Sequence, residues 1–382
     1  MSTLLGYDLD QLRDLGALDT SREIAQQPGV WREIGRLEGA ETDAFLKPLL
    51  ERPDLRIILT GAGTSAYVGE VLAPSLRRRL GRRVEAVATT DIVADPLACF
   101  AEDVPTLLVS FARSGDSPES LTAPELASQV LTDCWHLVVT CNAQGELARQ
   151  HADRSSSAVV LLPAAANDRG FAMTSSFTGM VLAGLLTLGG RDDELVDRLA
   201  AAAEQVLATR PTAAADLAAR GYDRIVYLGS GALHGLARES ALKVLELTAG
   251  GAVALSESAL AFRHGPKSVL NDATLVVSYE SNDPYTSQYD RDMVAELLRV
   301  IPARNLVTVT AHSGRSDAWA LPGVEDVDDA ALALPAVICA QLIGLHFSLA
   351  LGCTPDNPFP GGEVNRVVQG AIMHPLQHPN RR

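Results

Sequence analysis

Two stretches of the chain repeat the same punctuation at the same interval. The apolar run 55–60 leads into Gly61-Ala62-Gly63-Thr64-Ser65, and the run 223–228 leads into Gly229-Ser230-Gly231-Ala232. A second apolar run follows each, at 105–111 and 273–279. The step from Gly61 to Ser110 is 49 residues, and so is the step from Gly229 to Ser278. A third pair, 136–140 and 305–310, comes next in the same order. Two unrelated halves would not keep this spacing, whereas a duplicated unit would. Short apolar strands alternating with helical stretches predict α/β structure, with two doubly wound parallel sheets flanked by helices on both faces. The expected division is a helical lead-in at 1–34, a first half at 35–205, a second half at 206–370 and a tail at 371–382. Thr20-Ser21-Arg22-Glu23 has the form of a capping box opening a helix toward Trp31, and Arg210-Pro211-Thr212 marks the junction of the halves.

The formal net charge is -15. A field of that sign repels polyanions, so neither nucleic acid nor an anionic membrane is an expected partner. Five cysteines, an odd number with no Cys-x-x-Cys pair, argue against a disulfide framework or a zinc cluster and fit a reducing cytoplasm. The N-terminus has no secretory leader pattern. Residues 330–351 are long and apolar enough to span a bilayer. They contain Pro335, Gln341 and His346 and lack basic flanks, so a buried helix is expected.

Ligands of open parallel sheets bind outside the carboxyl ends of the strands. The loop 61–65 follows a strand there, and its glycines let an anion approach the backbone at a helix N-terminus. The loop 110–120 does the same with Arg113, Ser114, Gly115 and Ser117. Together the two loops can wrap one phosphate; singly, either could be an ordinary capped turn. The first is neither a dinucleotide fingerprint, since residue 66 is Ala, nor a P-loop, since Gly-Lys-Ser/Thr is missing. The second half carries Glu280, Asn282 and Asp283 where the first has Arg113-Ser114-Gly115, so one phosphate site per chain is expected. Lys243 and Glu246 lie three apart on one helix face, either as part of a site or as a surface ion pair. His264, between Arg263 and Gly265-Pro266, is an acid/base candidate or an ordinary loop histidine. His374 and His378 are separated by Pro375 and read as a solvated tail. No metal or other cofactor is expected.

These residues resemble SIS (sugar isomerase) domains. The marks are the Gly61–Ser65 loop, the run Arg113-Ser114-Gly115-Asp116-Ser117-Pro118-Glu119-Ser120, the helix 239–246 and His264-Gly265-Pro266-Lys267. The resemblance is closest to the AgaS branch, galactosamine-6-phosphate deaminase/isomerases or tagatose-6-phosphate ketose/aldose isomerases. Its further marks are 22–28, Asp283-Pro284-Tyr285, 355–358 and 364–370. The fold implied is two tandem SIS domains. A more distant likeness is to the isomerase domain of glucosamine-6-phosphate synthase. That likeness implies a phosphate held by Gly63, Thr64, Ser65, Ser114, Gly115 and Ser117, with Arg113 taking over where Ala112 replaces a serine. It implies Glu246 as catalytic base, Lys243 beside it, and His264 as a ring-opening group reaching a neighbouring subunit's site, hence at least a homodimer. Arg366 stands where that relative has a Schiff-base lysine. An arginine cannot be deprotonated to form an imine.

The expected reaction is conversion of D-galactosamine 6-phosphate to D-tagatose 6-phosphate and ammonia. An incoming sugar that already carries its amine needs no enzyme lysine. The alternatives are a plain aldose-ketose isomerase, a glucosamine-6-phosphate deaminase, and a non-catalytic phosphosugar-binding regulator.

Overall fold

The computed structural model describes residues 3–312, 318–368 and 370–377; His378 lies outside them. The first half forms five parallel strands: β1 (Arg56–Thr60), β2 (Val84–Ala86), β3 (Thr106–Ala112), β4 (Cys134–Thr140) and β5 (Ser157–Leu161). The second repeats them as β6 (Arg224–Leu228), β7 (Val253–Glu257), β8 (Thr274–Tyr279), β9 (Leu306–Thr310) and β10 (Trp319–Ala320). The strand orders are β2-β1-β3-β4-β5 and β7-β6-β8-β9-β10, the same doubly wound order with its switch point between the first and third strands. At that pair the register is also the same. Arg56 pairs with Thr106 and Thr60 with Ser110; Arg224 pairs with Thr274 and Leu228 with Ser278.

Alternation within the strands buries both faces. Ile57 and Leu59 face one apolar cluster and Ile58 the other. The larger cluster runs through both halves, so they share one core. The helices used below are α1 (Leu18–Gly35), α2 (Thr64–Leu80), α3 (Pro118–Val130), α4 (Ser175–Gly189), α5 (Asp193–Thr209), α6 (Ala232–Leu247), α7 (Thr286–Leu297) and α8 (Asp329–Ala350). Helix α8 is long and apolar enough to cross a membrane, but its apolar window is wholly buried. It packs against α6, α5 and α4 as a core helix. Arg210 closes α5 and Pro211 directly starts the next helix.

The capping box expected at Thr20–Glu23 does not form. Helix α1 begins at Leu18, with Thr20 and Ser21 already inside it and buried. Its free amides at Asp19 and Thr20 donate to the Asp356 carboxylate at 3.1 and 2.7 Å. Glu23 turns away to accept from the backbone N–H groups of Arg169 and Gly170.

Candidate active site

Each first strand ends in the same sharp turn. Gly63 has φ 55° and ψ -128°, and Gly231 has φ 58° and ψ -123°, a region that glycine enters without steric cost. Helix α2 therefore starts at Thr64 with its amide end facing the carboxyl edge of the sheet. The second loop is braced from behind. Asn142 Nδ2 donates to the Ser114 carbonyl at 2.9 Å, Leu147 N to the Gly115 carbonyl at 3.0 Å, and Glu146 N to Asp116 at 2.8 Å. Gly115 takes φ 72° to make the turn. Ser117 caps α3, its hydroxyl 2.6 Å from that of Ser120.

Between these loops lies a cavity of about 240 Å³. Its walls bring together Gly63, Thr64, Ser65, Arg113, Ser114, Gly115, Ser117, Glu246 and Arg366. Ser120 and the strap at 364–368, both within the quoted marks, also line it, and so do Phe171 and Met173, which no sequence pattern pointed to. The strap is tied down by Arg113. Its guanidinium is buried and donates to the carbonyls of Phe171 at 3.1 Å and Arg366 at 2.8 Å. Burial, and then the nearby Arg366 cation, lower the Arg113 pKa. Arg366 in turn donates to the Asp168 carbonyl. The Asp168 carboxylate accepts from the amides of Thr174, Ser175 and Ser176, at the start of α4.

Glu246 reaches this first-half cavity because α6 packs across α2. The approach is close at Gly235, where an added Cβ would lie 2.8 Å from Val71 N. Lys243 sits beneath the cavity wall with its side chain fully buried, so it is no surface ion pair. Its ammonium is 3.0 Å from Thr64 Oγ1, 2.5 Å from Glu246 Oε2 and 3.4 Å from Glu239 Oε1. Burial works to lower its pKa, but the two carboxylates outweigh burial and raise it. Glu239 is also fully buried, and burial pushes it up to about 8. Glu239 lies four before Lys243, a spacing that places both on one helix face.

His264 is exposed and does not line the cavity of its own chain. Its turn is held by Glu296 of α7, which pairs with Arg263 at 2.7 Å and with Lys267. Those two cations hold Glu296 down at about 2. In the second half, Glu280 pairs with Arg291 at 3.0 Å, and Asp283 accepts from the amides of Tyr285 and Thr286 to cap α7.

A family model described as SIS domain matches residues 49–188. The chain is 62% identical over 374 residues to an AgaS protein of Streptomyces coelicolor, covering 95% of this chain and 97% of that one. It is 43% identical to the D-galactosamine-6-phosphate deaminase AgaS of a Shewanella species, covering 96% of this chain and 94% of that one. Among solved structures, the tagatose-6-phosphate ketose/aldose isomerase of Escherichia coli superposes with a TM-score of 0.86 at 40% identity, covering 94% of this chain and 97% of that one.

Proposed function

This chain belongs to the AgaS family of SIS-domain proteins, and from that membership we propose that it is an enzyme converting D-galactosamine 6-phosphate to D-tagatose 6-phosphate and ammonia. The observation that carries the reading is the placement of Glu246 in one cavity with the two helix-opening loops. The amides at the starts of α2 and α3, with Thr64, Ser65, Ser114 and Ser117, suit a phosphate. A phosphate fixed there positions carbons 1 and 2 of the sugar near Glu246.

In this mechanism His264 of the partner subunit moves a proton from the anomeric hydroxyl to the ring oxygen and opens the ring. Glu246 removes the proton at carbon 2 and returns one to carbon 1. The product is a ketimine at carbon 2, and water hydrolyses it to the ketose and ammonia. General acid-base catalysis of this kind supplies about 10²–10⁴-fold. Lys243 is a positioning residue that holds Glu246 against Thr64. The first half supplies the phosphate cradle and the second the base. A homodimer is supported by the exposure of His264 on a braced turn together with a cavity lining that, among the described residues, has no histidine. The unpaired cysteines suit the cytoplasm.

The E. coli structural relative named for ketose/aldose isomerisation favours a second reading, isomerisation without loss of nitrogen. The test is to assay ammonia and ketose phosphate together, with galactosamine 6-phosphate and with glucosamine 6-phosphate. Ammonia in step with tagatose 6-phosphate from the first substrate is expected. Ketose-aldose interconversion without ammonia would leave the isomerase. Mixing a His264→Asn chain with a Glu246→Gln chain should restore partial activity if sites are shared between subunits.

A further inference from the structure

Duplication gives both halves the same loops at the same switch point, but the two ends are occupied differently. An offset of 168 positions carries Gly61 onto Gly229, Gly63 onto Gly231, and Arg113 onto Ser281. In the first half the loops border the open cavity. In the second they close on a carboxylate. Ser230 Oγ donates to Asp290 Oδ1 at 2.6 Å, and Ser281 N donates to Asp290 Oδ2 at 3.0 Å. Asp290 lies on α7, which follows β8 as α3 follows β3. It is 1% exposed.

A buried carboxylate without a cation is costly unless hydrogen bonds hold it. Here the holders are a hydroxyl and a backbone N–H converging from two strand-end loops, the kind of donors that hold a phosphate. Asp329, at the start of α8, adds a second carboxylate alongside, taken up by Ser281 Oγ at 2.5 Å and Asn282 N at 2.8 Å. The same offset carries Lys243 and Glu246 back onto Ser75 and Arg78 of α2. Both engage Asp328, Arg78 at 3.3 Å. Among the described residues, these positions of α2 thus carry no counterpart of the base.

We propose that Asp290 is a built-in anion that fills a second phosphate cradle left by the duplication and keeps it closed, so that each chain has one working site. The proposal rests on reading the first-half loops as the phosphate site. Shortening Asp290 would free the donors of Ser230 and Ser281 for a dissolved anion.

The test is equilibrium dialysis of inorganic phosphate against wild type, Ser65→Ala/Ser114→Ala, Asp290→Ser and the triple variant, with circular dichroism to follow folding. Wild type should bind one phosphate per chain and the Ser65→Ala/Ser114→Ala variant none. Asp290→Ser should bind two and the triple variant one. A folded Asp290→Ser chain that still binds one phosphate overturns the proposal. If Ser65→Ala/Ser114→Ala keeps its phosphate, the first-half reading fails, while the gain or lack of a further phosphate on Asp290→Ser still decides the second cradle. If Asp290→Ser unfolds in phosphate-free buffer, recovery of its circular dichroism in phosphate supports the proposal. A chain that stays unfolded in phosphate overturns it.

Discussion

Lys243 Nζ donates to Thr64 Oγ1 at 3.0 Å, joining a second-half helix to the glycine loop of the first half. The same ammonium holds Glu246 at 2.5 Å, so Glu246 and the glycine loop share one fully buried cation. Removing one partner of a buried ion pair costs about 3–5 kcal/mol. Lys243→Met should lose stability of that order in urea unfolding. Adding Glu239→Gln should restore part of it by removing a stranded carboxyl. A Lys243→Met chain as stable as wild type would refute this structural role.

Glu239 sets a pH dependence with a definite sign. Burial raises its pKa from 4.5 to about 8. Between those values the native state keeps a proton that the unfolded chain releases. Its contribution to stability is fully present below pH 4.5 and is lost as pH rises through 8, at up to about 1.4 kcal/mol per pH unit. Stability relative to Glu239→Gln should therefore fall across that window and level off above it. A constant difference would show that Glu239 is ionised throughout.

Arg113 acts on the strap. Its guanidinium joins the Phe171 and Arg366 carbonyls, a forked geometry that lysine cannot copy. A hydrogen bond to a charged group is worth about 1.5–3 kcal/mol. Arg113→Lys should raise KM for the sugar phosphate about tenfold or more and expose 364–368 to limited proteolysis. Unchanged KM and unchanged cleavage would detach the strap from substrate binding.

Gly235 fixes the crossing of α6 over α2. A Cβ there would meet Val71 N at 2.8 Å and the Glu70 carbonyl carbon at 2.9 Å. Backbone cannot yield as a side chain can, so Gly235→Ala should cost about 1–3 kcal/mol, read as a lowered Tm. Gly29→Ala in α1 meets nothing within 4 Å and is the control.

The strands, their repeat and the two loops that border the cavity were legible in the sequence because they rest on local pattern: apolar runs, then glycines and hydroxyls at a strand end. What was not legible rests on contacts between distant segments. The start of α1 is set by Asp356, 337 positions from Asp19, which no capping pattern can register. Burial of Lys243 depends on the packing of α6 on α2, and nothing in its neighbours shows that. Glu280 and Asp283 are the carboxylates that the sequence offers beside the second-half loop. Glu280 and Asp283 serve Arg291 and the α7 cap, and the carboxylate between the loops is Asp290.

The proposed mechanism turns on Glu246 as the base, and the decisive measurement is its replacement with glutamine. Ammonia release from galactosamine 6-phosphate would be followed for wild type and Glu246→Gln, with substrate binding measured in parallel. A fall in kcat of about 10²–10⁴-fold with binding nearly unchanged is expected. Full turnover by Glu246→Gln would contradict the mechanism.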